Sequence, residues 1–471
     1  MNFSKFSLRT VVACCALGLM TLPGVCQGNS SAPKIAQAKQ MPPRIQRIPN
    51  GVQLRTGDLN VKVQFYSPGT VRVVKWPAGG TSGKASLSVV QKKLPKMRVR
   101  MKQSAEAITL DSGQIKLRLS TRDGSIRYLG RDNRTILEEQ GKATFAPAEI
   151  EQEKAAFSVQ QNFKLTPDEG VYGLGQHQSG YMNYRGRTVK LVQANTEAVT
   201  PFLVSTAGYG IFWDNYSKTV FADNPGTTSL WSEVADNIDY YFLAGPSMDQ
   251  VIAGYRKLTG QAPMYGKWAY GYWQSKEHYA TRDELLGIAR QYRDKRIPID
   301  NIVQDWAYWG GNDTWGGMYF DETKYPRPKE MIDLLHRQHF HVMISIWPAL
   351  GPNAPIYQDM EKRGYLYPTV GWAGFKYFDA YNPAANDLYW QYAKTGLFSK
   401  GIDAWWIEPF TYGEFKTTFP FFALPNVIGS PHNSAIVSGI NEESTRQAME
   451  NVMRFLRGEK IIGVVRREDY I

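Results

Sequence analysis

Between about Gly51 and Phe242 the chain alternates apolar and polar residues in short runs, as in Val61-Lys-Val-Gln-Phe65, Ile115-Lys-Leu-Arg-Leu119 and Tyr209-Gly-Ile-Phe-Trp213. Turn signals such as Pro68-Gly69, Asp123-Gly124 and Asn224-Pro-Gly226 separate the runs, and long helical patterns are absent. A period of two broken by turns predicts an antiparallel β-sandwich, here residues 48–245. From Trp268 onward the pattern changes to apolar strands that alternate with amphipathic helices. Strands are expected at 268–273, 301–306, 341–347 and 402–408. A helix is expected after the capping box Thr281-Arg-Asp-Glu284, with Leu285, Ile288, Ala289 and Tyr292 at helical spacing, and others at 329–339 and 387–400. Repeated strand–helix units imply parallel strands with right-handed crossovers. Four such strands make half of an eight-stranded barrel, so residues 246–408 are expected to form the first half of an incomplete (β/α)8 TIM barrel.

The beginning of the chain follows a different rule. Lys5 and Arg9 precede the apolar run Val11 to Met20, which is too short to span a bilayer and is followed by small residues. This is the layout of a signal peptide (1–27), and export to the periplasm or beyond is expected. Residues 28–47, rich in Ser, Ala, Gln, Lys and Pro, read as a tether. All three cysteines, Cys14, Cys15 and Cys26, belong to the leader. The folded body therefore has neither a disulfide framework nor a cysteine-ligated metal. Cys26 would serve a lipid anchor to the membrane, although Pro23 and Val25 fit a lipidation motif poorly.

Charge changes the picture little. Lys and Arg total 55 against 43 Asp and Glu, a net +12. The one dense basic stretch, Lys92 to Lys102, alternates Lys96, Arg98, Arg100 and Lys102 with Met97, Val99 and Met101, which reads as a half-buried strand with a solvated face. No nucleic-acid partner is expected. His336, His339 and His341 straddle a helix end and a strand start, so they do not share a helical face, and no metal site is expected.

Parallel-barrel chemistry sits at the C-terminal ends of the strands, here Gln274, Asp305-Trp306, Trp347 and Glu408. Two acids, Asp305 and Glu408, among Trp306, Trp309, Trp315, Trp347, Trp405 and Trp406, suit a pyranose. Carboxylates can meet hydroxyls and the anomeric carbon, and aromatic faces can cover C–H surface. Strand tryptophans are also ordinary core residues, and a strand-end acid can be a cap.

Longer motifs narrow the choice. Tyr172-Gly-Leu-Gly-Gln176, Gly208-Tyr-Gly-Ile-Phe-Trp-Asp-Asn215, Gly271-Tyr-Trp-Gln-Ser275, Ile297 through Trp306 and Ala380-Tyr-Asn-Pro383 occur in the order seen in glycoside hydrolase family 31. Residues 45–406 resemble its α-xylosidase and α-glucosidase members. The resemblance implies a mutarotase-like sandwich leading into a (β/α)8 barrel, no cofactor, and retaining hydrolysis of an oligosaccharide or glycoside. It also implies that Asp305 hydrogen-bonds the sugar before the scissile bond, that Trp306 and Trp347 line that subsite, and that Gln176 lies near its mouth. Gln304-Asp-Trp306 leans toward xylosides, because Trp306 would crowd a hexose hydroxymethyl group. The family's nucleophile is an Asp. Glu408 stands at that position, so an impaired enzyme is expected.

The tail, 409–471, resembles something else. Pro420 through Ala435, with His432, and Arg446 to Arg457 before Gly458-Glu459 are similar to the C-terminal segment of D-2-hydroxyacid dehydrogenases, in which the residues matching Asp403, Glu408 and His432 serve the nicotinamide and the substrate proton. The spacing of Gly173 to Gly180 is wrong for a phosphate-binding turn. The readings in order are a truncated α-glycoside hydrolase, a non-catalytic or chimeric remnant joined near 401–406, and a dehydrogenase.

Overall fold

A computed structural model describes residues 42–148, 156–192, 197–262, 264–371 and 373–407, with five isolated positions between 450 and 459. The leader with Cys26, most of the tether, Glu408 and the tail apart from those five positions, His432 included, lie outside the described residues.

The alternating segments form two antiparallel sheets. One has eight strands, running from the hairpin Arg44–Ile48/Gly51–Thr56 through Leu59–Ser67, Thr70–Trp76, Ile238–Ala244, Tyr209–Trp213 and Ala198–Ser205 to Val171–Gln176. The other has ten, running from the edge strand Thr188–Leu191 through Thr219–Asn224, Thr227–Ala235 and Ala156–Lys164 towards Arg100–Gln103 at the far edge. Alternation puts one face of every strand inward, and Val52, Val61, Val63, Leu117, Leu119, Tyr209 and Phe242 meet in a single core between the sheets. Two corrections to the sequence reading concern the region after residue 245. Helix α1 (Met248–Thr259), capped by the Ser247 side chain, packs Val251 and Leu258 onto Phe202, Val204, Phe212 and Tyr241 on the outer face of the eight-stranded sheet. The segment expected to begin the barrel as a strand is a 3₁₀ turn at Lys267–Tyr270, and only Trp273–Gln274 pairs as a strand.

The barrel half follows the expected units. Strands Trp273–Gln274, Asn301–Gln304, His341–Ile346 and Ala404–Ile407 pair in parallel in that order. Helices α2 (Arg282–Asp294), α3 (Pro328–Arg337) and α5 (Pro383–Gly396) connect them, together with α4 (Pro355–Lys362) and a small three-stranded sheet that the sequence pattern did not reveal. The second and third strands are buried almost throughout, as parallel strands covered on both faces must be. Their apolar residues join Leu285, Ala289, Ile332 and Leu335 from the helices in a second core. Ahead of α2, Thr281 Oγ accepts from the Glu284 amide at 3.2 Å, satisfying a donor that no helical carbonyl can reach. Thr281→Ala is expected to lower stability by about 1 kcal/mol, and Thr281→Ser to retain it. Thermal denaturation of the two variants checks the cap.

Candidate active site

The second and third strands end where the chain turns sharply. After Gln304 the backbone runs through Asp305 and Trp306 to Ala307, whose φ of 56° is left-handed, a conformation that costs a residue bearing a Cβ and that packing must hold in place. Three hydrogen bonds do so. The Trp306 amide donates to the Glu277 carbonyl at 2.8 Å, Ser345 Oγ donates to the Asp305 carbonyl at 3.0 Å, and the Tyr308 hydroxyl donates to the Ser345 carbonyl at 2.8 Å. Ser345 and Tyr308 are fully buried. Sequence reasoning passed over both. The available signal was a lone serine inside the apolar run of the third strand.

This support leaves the Asp305 carboxyl in a largely desolvated position. Burial pushes it up to about 6, the Ser345 hydroxyl opposes the rise and the charge of Glu277 adds to it. Beside it, four of the six tryptophans singled out in the sequence come together. The Trp306 ring lies edge-on to Trp309 at 5.2 Å, Trp315 at 4.6 Å and Trp347 at 5.2 Å between ring centres. Trp315 also meets Trp347 at 5.3 Å. Trp309 and Trp315 are buried core, whereas Trp306 and Trp347 keep part of their surface open. The Trp347 indole N–H is buried and has no acceptor among the described residues. Trp405, on the fourth strand, lies edge-on to Trp390 at 5.7 Å. A carboxylate that accepts hydrogen bonds, an unspent indole donor and two open aromatic faces at strand C-terminal ends are the equipment of a saccharide subsite.

The other candidates are placed differently. Gln176 ends the strand Val171–Gln176, is exposed and pairs with Ala198. No hydrogen bond among the described residues joins it to Asp305, Trp306 or Trp347. The glycines before it serve a bulge in that strand. Gly175 has φ 102°, and a Cβ there would lie 2.3 Å from the Ala198 carbonyl oxygen, so this Gly-rich text is sheet geometry and not a phosphate-binding turn. Asp403 accepts from the Val342 amide at 2.8 Å and bonds His336 Nε2 at 2.8 Å, at the opposite end of the strands. His341 lies 3.4 Å from the same carboxylate. No group of three or more His, Cys, Asp or Glu side chains able to hold a metal occurs among the described residues. Glu408, the expected nucleophile position, lies outside them.

Comparison with known proteins decides the family. The sequence model of the family 31 glycosyl hydrolase TIM-barrel domain matches residues 262–457, and that of the family's N-terminal galactose mutarotase-like domain matches 60–221. The chain belongs to glycoside hydrolase family 31. An alpha-xylosidase of Saccharolobus solfataricus is 36% identical over 366 residues, which are 75% of this chain and 48% of that protein. Alpha-glucosidase 2 of Bacillus thermoamyloliquefaciens is 27% identical over 431 residues, 85% of this chain and 51% of that protein. Among solved structures, the family 31 alpha-xylosidase of Xanthomonas citri superposes with a TM-score of 0.69 at 26% identity, covering 77% of this chain and 57% of that one. An alpha-xylosidase from a soil metagenome, complexed with xylose, does so with 0.69 at 27% identity, covering 78% and 57%. The chain thus spans about half the length of the curated relatives it matches. The family's barrel match reaches residue 457, beyond the boundary at 408 drawn from the sequence.

Proposed function

We propose that this family 31 chain is an exported retaining α-glycoside hydrolase selective for α-xylosides, with Asp305, Trp306 and Trp347 forming the subsite before the scissile bond and Glu408 at the nucleophile position. In the retaining reaction a carboxylate attacks the anomeric carbon, the leaving group departs, and water then releases the sugar from the covalent intermediate. Asp305 would hold a ring hydroxyl throughout, and its hydrogen bond strengthens as positive charge develops on the sugar ring.

The observation that carries the preference is the packing of Trp306. Its ring is held edge-on by Trp309, Trp315 and Trp347. These contacts oppose a swing of the ring away from the hydroxymethyl group that distinguishes a hexose from xylose. An excluded substituent of this size changes discrimination by roughly 10–200-fold. The test compares kcat/KM for aryl α-xyloside and aryl α-glucoside. The xyloside is expected to be preferred at least tenfold, and Trp306→Ala to narrow the gap by raising glucoside turnover. Equal turnover of the two sugars by the parent chain would remove the argument for xylosides.

A further inference from the structure

The basic stretch Lys92 to Lys102 plays no part in the subsite, yet the fold makes something specific of it. The turn Pro49-Asn50-Gly51 reverses the first hairpin, with Asn50 in the left-handed region at φ 56°. Asn50 Nδ2 donates to the Pro95 carbonyl at 2.8 Å, and Arg47 Nη2 donates to the Val99 carbonyl at 3.2 Å. These bonds fasten the segment 95–99 beside the hairpin. Between them lies a cavity of about 510 Å³ whose floor includes Ile48, Met97 and Met101 and whose rim carries Arg47, Lys96 and Arg98. All three cations are exposed, and among the described residues no carboxylate lines the cavity. None of the three is in an ion pair with a carboxylate among the described residues. The neighbouring Arg100, by contrast, is paired with Asp111 at 3.0 Å.

We propose that this cavity is a second saccharide site, which takes an anionic oligosaccharide bearing uronic-acid carboxylates. Three cations without a carboxylate partner among the described residues, set around a concavity of ligand size, complement a ligand with spaced negative charges, and the apolar floor complements the C–H surface of a sugar ring. Among the described residues no aromatic side chain lines the cavity to stack a nucleobase. Its apolar atoms lie on the floor of a concavity and not on a projecting face that could enter a lipid surface. The choice of a saccharide over another organic anion rests on the glycosidase reading. The consequence would be retention of the enzyme on an acidic polysaccharide while the barrel works on neutral α-linked sugars.

The test is calorimetric titration of trigalacturonate into the full chain, with maltotriose as the neutral control. Trigalacturonate is expected to bind the parent chain more tightly than maltotriose, and added salt to weaken it. Lys96→Glu combined with Arg98→Glu should weaken it roughly a hundredfold, about tenfold for each charge-assisted hydrogen bond removed. The neutral pair Lys96→Gln and Arg98→Gln should fall between. Melting temperature and aryl α-xyloside turnover should stay at parent values. Absence of trigalacturonate binding, equal affinity in the charge-reversed variant, or tighter binding of a single-stranded oligonucleotide or of anionic phosphatidylglycerol vesicles would overturn the proposal. If aryl glycoside turnover fails while charge-dependent trigalacturonate binding persists, only the glycosidase reading falls.

Discussion

Glu408→Asp is expected to raise turnover of an aryl α-xyloside by about a hundredfold. Family resemblance places an Asp where this chain carries Glu408, and the extra methylene advances the carboxylate by about 1 Å. A displacement of that size at a reacting atom costs on the order of 10²-fold, because attack needs both contact distance and alignment. The residue before it is fixed. Ile407 pairs with Ile346, and Trp347 of the proposed subsite follows Ile346 directly. The backbone ahead of Glu408 is therefore tied to the strand that carries a subsite wall. With a nitrophenyl leaving group, which departs without needing a proton, the rate of the first, bond-breaking step reports on the nucleophile with little demand on a general acid. Glu408→Gln should abolish turnover in this assay. An unchanged or lower rate for Glu408→Asp would show that the longer side chain is already matched to its surroundings, and the nucleophile assignment would then need another residue.

What was legible in the sequence follows from the range over which each physical rule acts. The sandwich strands were visible because a two-residue period is local, and α2 because Thr281 and Glu284 are three residues apart. Helix α1 was placed with the barrel because pattern alone does not show which surface an amphipathic helix will cover. Asp305, Trp306 and Trp347 were legible as strand ends, but the separation of Trp309 and Trp315 into the core from the partly open Trp306 and Trp347 depends on contacts among distant segments. The sharpest case is Lys75. Its ammonium is buried in the sandwich, 2.6 Å from Glu139 and 2.9 Å from Gln161. Glu139 also accepts from the Ile126 amide and the Tyr240 hydroxyl. Burial lowers the Lys75 pKa, and the Glu139 charge opposes that shift. Within its strand Lys75 looks like an ordinary polar position. Its partners lie 64 and 86 residues away, and no local period joins them.

Asp305→Asn is expected to lower kcat/KM for the aryl α-xyloside by about 10²–10³-fold while making the protein more stable at neutral pH. The loss of activity follows from replacing a charged acceptor with a neutral amide at a hydroxyl whose hydrogen bond strengthens as charge develops. The gain in stability follows from the same desolvation that pushes the Asp305 carboxyl up to about 6. Between the unfolded value near 3.8 and the folded value near 6, the folded chain holds a proton that the unfolded chain has released. Stability therefore falls as pH rises through that window. Above pH 6 the folded state carries the full cost of a buried charge, about 1–3 kcal/mol, and Asn does not. Below pH 4 both states are protonated and the variant's advantage should disappear. Chemical denaturation at pH 4 and pH 7 measures the difference. Sugar binding by the parent chain should strengthen through pH 6 as Asp305 ionises, and binding by Asp305→Asn should not follow that profile. An Asn variant that is no more stable at pH 7 would show that Asp305 is better solvated than its burial implies. A variant that binds and turns over normally would remove it from the subsite.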